Sequence, residues 1–130
     1  MKPRPFDPEK DYDTVAAWWK GHDWRVPLPK SMFPTSGLII DDVCAAWLYV
    51  TDSYLSFLGW PVGNPEQSPR VIDRGLEIVI KELQVMAVER GSPYLSAYTN
   101  KTGLLKLYDR LGFQRADSGL THSLFIGQGE

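Results

Sequence analysis

A chain of 130 residues, 43% hydrophobic and with five tryptophans, holds enough apolar mass for one compact core and too little length for two ordinary domains, so a single domain over residues 1–130 is expected. A formal net charge of -2, from 14 basic and 16 acidic residues, excludes a chain-wide positive field and disfavours nucleic acid or anionic lipid as partner. The single cysteine, Cys44, excludes a disulfide framework and a cysteine zinc site; with no apolar run near the ~18 residues of a membrane span, a soluble cytoplasmic protein is expected.

In chain order, Asp7-Pro8-Glu9 reads as a helix start with Asp7 as N-cap, and Val15, Trp18 and Trp19 give an apolar face up to about Gly21. Prolines cluster from Pro27 to Pro34 and from Pro61 to Pro69; both stretches are expected as loops, because proline removes a backbone donor and turns the preceding residue away from helix. Gly37 to Ile40 and Val43 to Thr51 read as strands joined by a tight turn at Asp41-Asp42, and Tyr54 to Trp60 as a third. Ser68-Pro69 opens the longest helix, with Ile72, Leu76, Val79, Ile80, Leu83 and Ala87 at helical spacing until Gly91. Tyr94 to Tyr98 is a short strand, Leu104, Leu105, Tyr108 and Leu111 form the face of a last helix closed by Gly112, and the tail returns to strand around a turn at Gly119. The order β, α, β, β, β, α, β, α, β, with room for one more strand, implies a mixed sheet covered by helices.

The stretch from Trp60 through Pro61-Val62-Gly63-Asn64-Pro65-Glu66-Gln67 into Ser68-Pro69-Arg70 has the order strand, loop, helix start. First-turn N–H groups have no partner inside a helix and the dipole is positive there, so the stretch has the form of an anion site. Arg70 in the first turn and Arg74 one turn later suit a phosphate or pyrophosphate; equally, both serve as solvated surface residues beside a good cap. Cys44, inside the apolar run Cys44-Ala45-Ala46-Trp47-Leu48, reads as a buried core residue. His22 and His122 lack metal-ligand spacing, Asp41-Asp42 suits a turn, and no nucleophile elbow supports Ser-His-Asp chemistry.

The later half is more specific. Gly91, the strand Tyr94 to Tyr98, Asn100 and then Leu107-Tyr108-Asp109-Arg110-Leu111-Gly112-Phe113 resemble the late motif of the GNAT superfamily of N-acyltransferases, where an asparagine after the fifth strand precedes a helix ending Tyr-x-x-x-Gly-Phe; the resemblance covers about residues 54 to 115. It implies an α/β (α+β) fold, a mixed, mostly antiparallel GNAT-like sheet with helices on both faces. It further implies an N-acetyltransferase that moves an acetyl group from acetyl-CoA, as co-substrate, to a small-molecule or protein primary amine by direct attack in a ternary complex, with no acyl carrier role for Cys44. The pantetheine arm would pair with backbone near Leu58, Trp60 and Val62 as an added strand does, and the pyrophosphate would rest at Ser68, Arg70, Arg74 and Gly75. Asn100 would lie beside the pantetheine, and Tyr108 would protonate the departing thiolate as general acid. Trp18, Trp19 and Trp24 would flank the acceptor side, with only one of the adjacent pair facing a core squarely. An exposed apolar tail strand would permit a homodimer.

Three departures from the family pattern stand beside it. The phosphate loop usually reads Arg/Gln-x-x-Gly-x-Gly/Ala; aligned through Leu83 and Ala87, Val71 to Leu76 stands there with Gly75 as its one glycine. Either the side chains of Ser68, Arg70 and Arg74 replace bare amides, or CoA binding has been lost. Asn100 stands eight residues before Tyr108 rather than seven, so the turn carries an extra residue at Thr102-Gly103 or Lys101 takes the usual place. Tyr54 to Trp60 holds no carboxylate, where many members carry the base that deprotonates the amine; His22, Glu66, Asp52, His122 and a water relay stay open. The rival readings are a non-catalytic GNAT-like binding or structural module and an α/β module whose anion site is unrelated to CoA.

Overall fold

A computed structural model describes residues 1–23, 28–116 and 122–127; Trp24 and the turn expected at Gly119 lie outside them, as do the side chains of His122 and Ile126. The elements are β1 (Arg4–Pro5), α1 (Pro8–Gly21), a short 3-10 turn (Lys30–Met32), β2 (Ser36–Ile40), β3 (Cys44–Val50), β4 (Leu55–Gly63), α2 (Pro69–Glu89), β5 (Tyr94–Tyr98), α3 (Thr102–Arg110), β6 (Gln114–Arg115) and β7 (His122–Ile126). The strands hydrogen-bond in the order β1-β2-β3-β4-β5-β7-β6. β2–β3 and β3–β4 are joined by links of three and four residues, far short of a parallel crossover, so both pairs are antiparallel. β1–β2, β5–β7 and β6–β7 are antiparallel as well, and β4–β5, joined through α2, is parallel. Among the described residues no helix is long and apolar enough to cross a membrane.

The boundaries differ from the sequence reading in two places. β4 runs through Pro61 to Gly63, so the expected loop begins three residues later; proline is tolerated where a strand position has no ladder donor to supply. β7 is not the last strand of the sheet: β5 flanks one side of it and β6 covers the other at Ser123 and Leu124, with the two-residue strands β1 and β6 at the ends of the strand order.

The chain forms two compact units, one of Met1–Trp47 with Trp60–Val79, the other of Leu48–Gly59 with Ile80–Glu130. In the first, Asp7 caps α1 by accepting the Glu9 N–H at 3.0 Å, with Pro8 behind it. Arg4 grips two carboxylates: its two terminal nitrogens reach Asp11 at 2.8 and 2.9 Å, while Nε and NH2 reach Asp41 at 3.1 and 2.7 Å. Phe33 stacks on Trp19 with centroids 5.7 Å apart, and Trp47 meets Phe6, Trp19 and Phe33 at 4.9 to 5.9 Å. Trp18 and Trp19 are both buried, so the adjacent pair is absorbed by packing rather than divided between core and surface. Trp47 and Cys44, three apart on β3, point to opposite faces. Trp47 meets α1, and Cys44 Sγ lies against Gly75 of α2, which puts helices on both faces. Burial pushes the Cys44 thiol up to about 12, as befits a packing cysteine.

In the second unit, Tyr108 of α3 packs on Phe113 with centroids 5.0 Å apart, and Phe113 on Phe125 of β7 at 5.6 Å. Gln84 of α2 donates to the Leu111 carbonyl at 3.1 Å. Gly91 and Gly112 close the two helices at φ 77 and 88, the left-handed conformation glycine adopts without penalty. Ser56 Oγ donates to the Ser92 carbonyl at 3.0 Å, and Ser92 Oγ to the Ser53 carbonyl at 2.9 Å, tying the start of β4 to the start of β5.

Candidate functional site

β4 organises the candidate site. Its pairing with β5 runs from Leu55↔Tyr94 to Leu58↔Ala97, and the strand then continues five residues further to Gly63. Within that continuation Trp60 adopts φ 56, a left-handed conformation costing a non-glycine residue of order 1–3 kcal/mol. Leu58 and Val62 are buried, whereas Trp60 is 41% exposed. A strand that outruns its parallel neighbour offers backbone groups to an extended ligand.

Beyond Gly63 the chain is fastened by side chains. The Asp42 carbonyl, at a residue with φ 63, accepts from Asn64 Nδ2 at 2.9 Å and from Gln67 Nε2 at 3.0 Å. The Asn64 N–H donates to the Val43 carbonyl at 2.8 Å, and Asn64 Oδ1 accepts the Glu66 N–H at 3.0 Å. His22 Nε2 lies 2.8 Å from the Gly63 carbonyl, an acceptor, so that nitrogen carries a proton, and in the neutral ring Nδ1 is then the acceptor. A Cβ at Gly63 would stand 2.4 Å from Ile72 Cγ2, so this close approach requires glycine.

The start of α2 is less open than the sequence suggests. Pro69 has no N–H, Ser68 Oγ accepts the Val71 N–H at 3.2 Å, and the Ser68 carbonyl accepts the Ile72 N–H at 3.1 Å. Of the first-turn amides Arg70 alone keeps its N–H for a ligand, where several free amides were expected. The Ser68 hydroxyl still has its own proton to donate, and the Arg70 and Arg74 side chains are exposed. Gly75 sits buried in the second turn of α2, where a Cβ would lie 2.7 Å from Val43 Cγ1 and 2.9 Å from Cys44 Sγ.

In the second unit Tyr108 is fully buried, and among the described residues its hydroxyl has no hydrogen-bond partner. Burial pushes this phenol well above its ordinary range, so it stays protonated through neutral pH. Asn100 is exposed in the link between β5 and α3, and Lys101 occupies the cap position of α3 with its N–H on Thr99 Oγ1 at 3.0 Å. Of the other base candidates, Glu66 is exposed, and Asp52 lines a cleft of about 530 Å³ with Thr51, Ser53, Tyr54, Arg90 and Ser92 beside the start of β4. Sequence reasoning missed Asn64 and Gln67, because their acceptor is a backbone carbonyl 22 and 25 positions earlier; Asn64-Pro65 marks only a turn.

No protein-family model matches the chain, and no curated protein matches it. Solved structures do. Rv2747 from Mycobacterium tuberculosis, in complex with CoA and NLQ, is 13% identical, with 90% of this chain and 74% of that one covered at a TM-score of 0.72. The ribosomal-protein-S18-alanine N-acetyltransferase from Escherichia coli is 14% identical, with 99% and 96% covered at 0.63. An acetyltransferase of the GNAT family from Staphylococcus aureus Mu50 is 12% identical, with 97% of each chain covered at 0.69. At such identities the likeness is one of fold, and the fold is that of the GNAT acetyltransferases.

Proposed function

We propose, from the premise of a GNAT fold, that the chain transfers an acetyl group from acetyl-CoA to a primary amine by direct attack in a ternary complex. The observation that carries this reading is β4 continuing to Gly63 after its pairing with β5 has ended at Leu58. The buried Tyr108 hydroxyl, without a partner among the described residues, adds a proton donor. Acetyl-CoA supplies the activated acyl carbon. Leu58, Trp60 and Val62 would offer backbone groups to the pantetheine arm, with Asn100 beside it. The Ser68 hydroxyl, the Arg70 N–H and the two guanidinium groups of Arg70 and Arg74 would take the diphosphate. Gly75 would serve that site by letting α2 lie close against Val43 and Cys44. As the new N–C bond forms and the C–S bond breaks, Tyr108 gives its proton to the sulfur, and the amine proton passes to a base. His22, at the C-terminus of α1 and against the Gly63 carbonyl, and Glu66, in the loop after β4, are favoured by this reading over Asp52, which precedes the strand. The acceptor is a small-molecule or protein amine, and the buried, reduced Cys44 accords with a cytoplasmic setting.

Thermal unfolding with acetyl-CoA tests the reading. A ligand at a hundred times its Kd stabilises the folded state by about 2.7 kcal/mol, a shift of several degrees in Tm. Arg70→Glu should abolish that shift at concentrations that saturate the wild type. No shift at millimolar acetyl-CoA would remove acetyl transfer. One observation favours a second reading, a non-catalytic module: a single first-turn amide is left where a diphosphate cradle uses several. That reading expects neither a shift nor thiol release with any amine.

A further inference from the structure

Ser123 of β7 is fully buried, and its hydroxyl, like that of Tyr108, has no hydrogen-bond partner among the described residues. Register defines where it sits. Leu58 of β4 pairs with Ala97 of β5, Ala97 with Ser123, and Ser123 with Arg115 of β6, so these residues form one row across four strands. It is the last row in which β4 and β5 are paired. Phe125, two residues along β7 and on the same face as Ser123, meets Phe113, which meets Tyr108. Ser123 therefore shares the face of the sheet on which the Tyr108 and Phe113 rings pack. Buried hydroxyls ordinarily find partners, and neither of these two has one among the described residues.

We infer that Ser123 is a second hydrogen-bonding residue of the acyl-transfer site, its hydroxyl and that of Tyr108 converging on one ligand atom. The inference rests on the acetyl-transfer reading, which makes that atom the thioester sulfur. Once the C–S bond breaks, the sulfur carries the electron pair; Tyr108 delivers its proton there, and Ser123 donates a hydrogen bond without losing its own proton. A thiolate sulfur carries three lone pairs: one takes the Tyr108 proton and another accepts from Ser123.

The test compares CoA with desulfo-CoA, in which hydrogen replaces the thiol, by thermal shift on the wild type and variants. The wild type should bind CoA about tenfold more tightly than desulfo-CoA, the effect of hydrogen bonding at the sulfur. Ser123→Ala should lower that ratio at least about threefold, the remainder resting on Tyr108, leave desulfo-CoA affinity unchanged and raise the ligand-free Tm. Ser123→Thr, which keeps the hydroxyl, should retain the ratio; Ser123→Cys, near-isosteric and a poor donor, should lower it as alanine does, even if the alanine variant does not fold. A Ser123→Ala protein with the wild-type ratio overturns the inference alone, as does a wild type that binds both ligands equally. A wild type that binds neither removes acetyl transfer and this role of Ser123 together.

Discussion

A phenol buried without a partner costs about 1–3 kcal/mol, and a chain that keeps one carries a cost with no structural return. Tyr108→Phe should accordingly leave Tm unchanged or raised while lowering kcat by about 10²–10⁴ at saturating acetyl-CoA, the usual worth of a positioned acid. The pH profile gives a second check. The acid works only while protonated, and burial moves its pKa upward, so any alkaline limb set by Tyr108 should lie above pH ~10; one below pH 9 would assign it to another group. Asp11 behaves in the opposite sense. Hydrogen bonds from Arg4 hold its carboxyl below the ordinary carboxylate range, so its contribution is present above the unfolded pKa near ~4 and is lost as pH falls through the lower folded value. Asp11→Asn should cost about 1–3 kcal/mol at pH 7, and the difference from wild type should shrink in melts taken below pH 4.

The elements show where sequence was informative and where it was silent. The N-cap of α1, the span of β5 and the glycines closing α2 and α3 rest on interactions between near neighbours in the chain, and all were readable from spacing. The extent of β4 was not, because a strand crossing Pro61 depends on which backbone positions its neighbours engage. The loop ties at Asn64 and Gln67 and the row that sets Ser123 beside Ala97 come from register, which no local pattern encodes. Gly75 illustrates the ambiguity: its place in the chain invites a phosphate-loop role, yet its missing side chain is what lets α2 approach Val43 and Cys44. Gly75→Ala should therefore lower stability by about 1–3 kcal/mol despite alanine's better helix propensity, an inversion that urea denaturation would register.

At the scale of the whole molecule, the late Tyr-x-x-x-Gly-Phe string and the alternation of strand and helix were enough to reach the GNAT fold, which solved structures at 12 to 14% identity share. Fold does not carry function, and so the weight falls on the few groups left unsatisfied inside it. One feature of β4 makes those groups accessible to observation. Of the four tryptophans described, Trp18, Trp19 and Trp47 are buried, and Trp60 stands exposed at its left-handed position in the strand. The protein thus carries a built-in optical reporter. With Trp24 replaced by Phe, the red, solvent-exposed part of its emission should come from Trp60, and titration with acetyl-CoA should quench or blue-shift that part alone, giving an affinity without label or enzymatic assay.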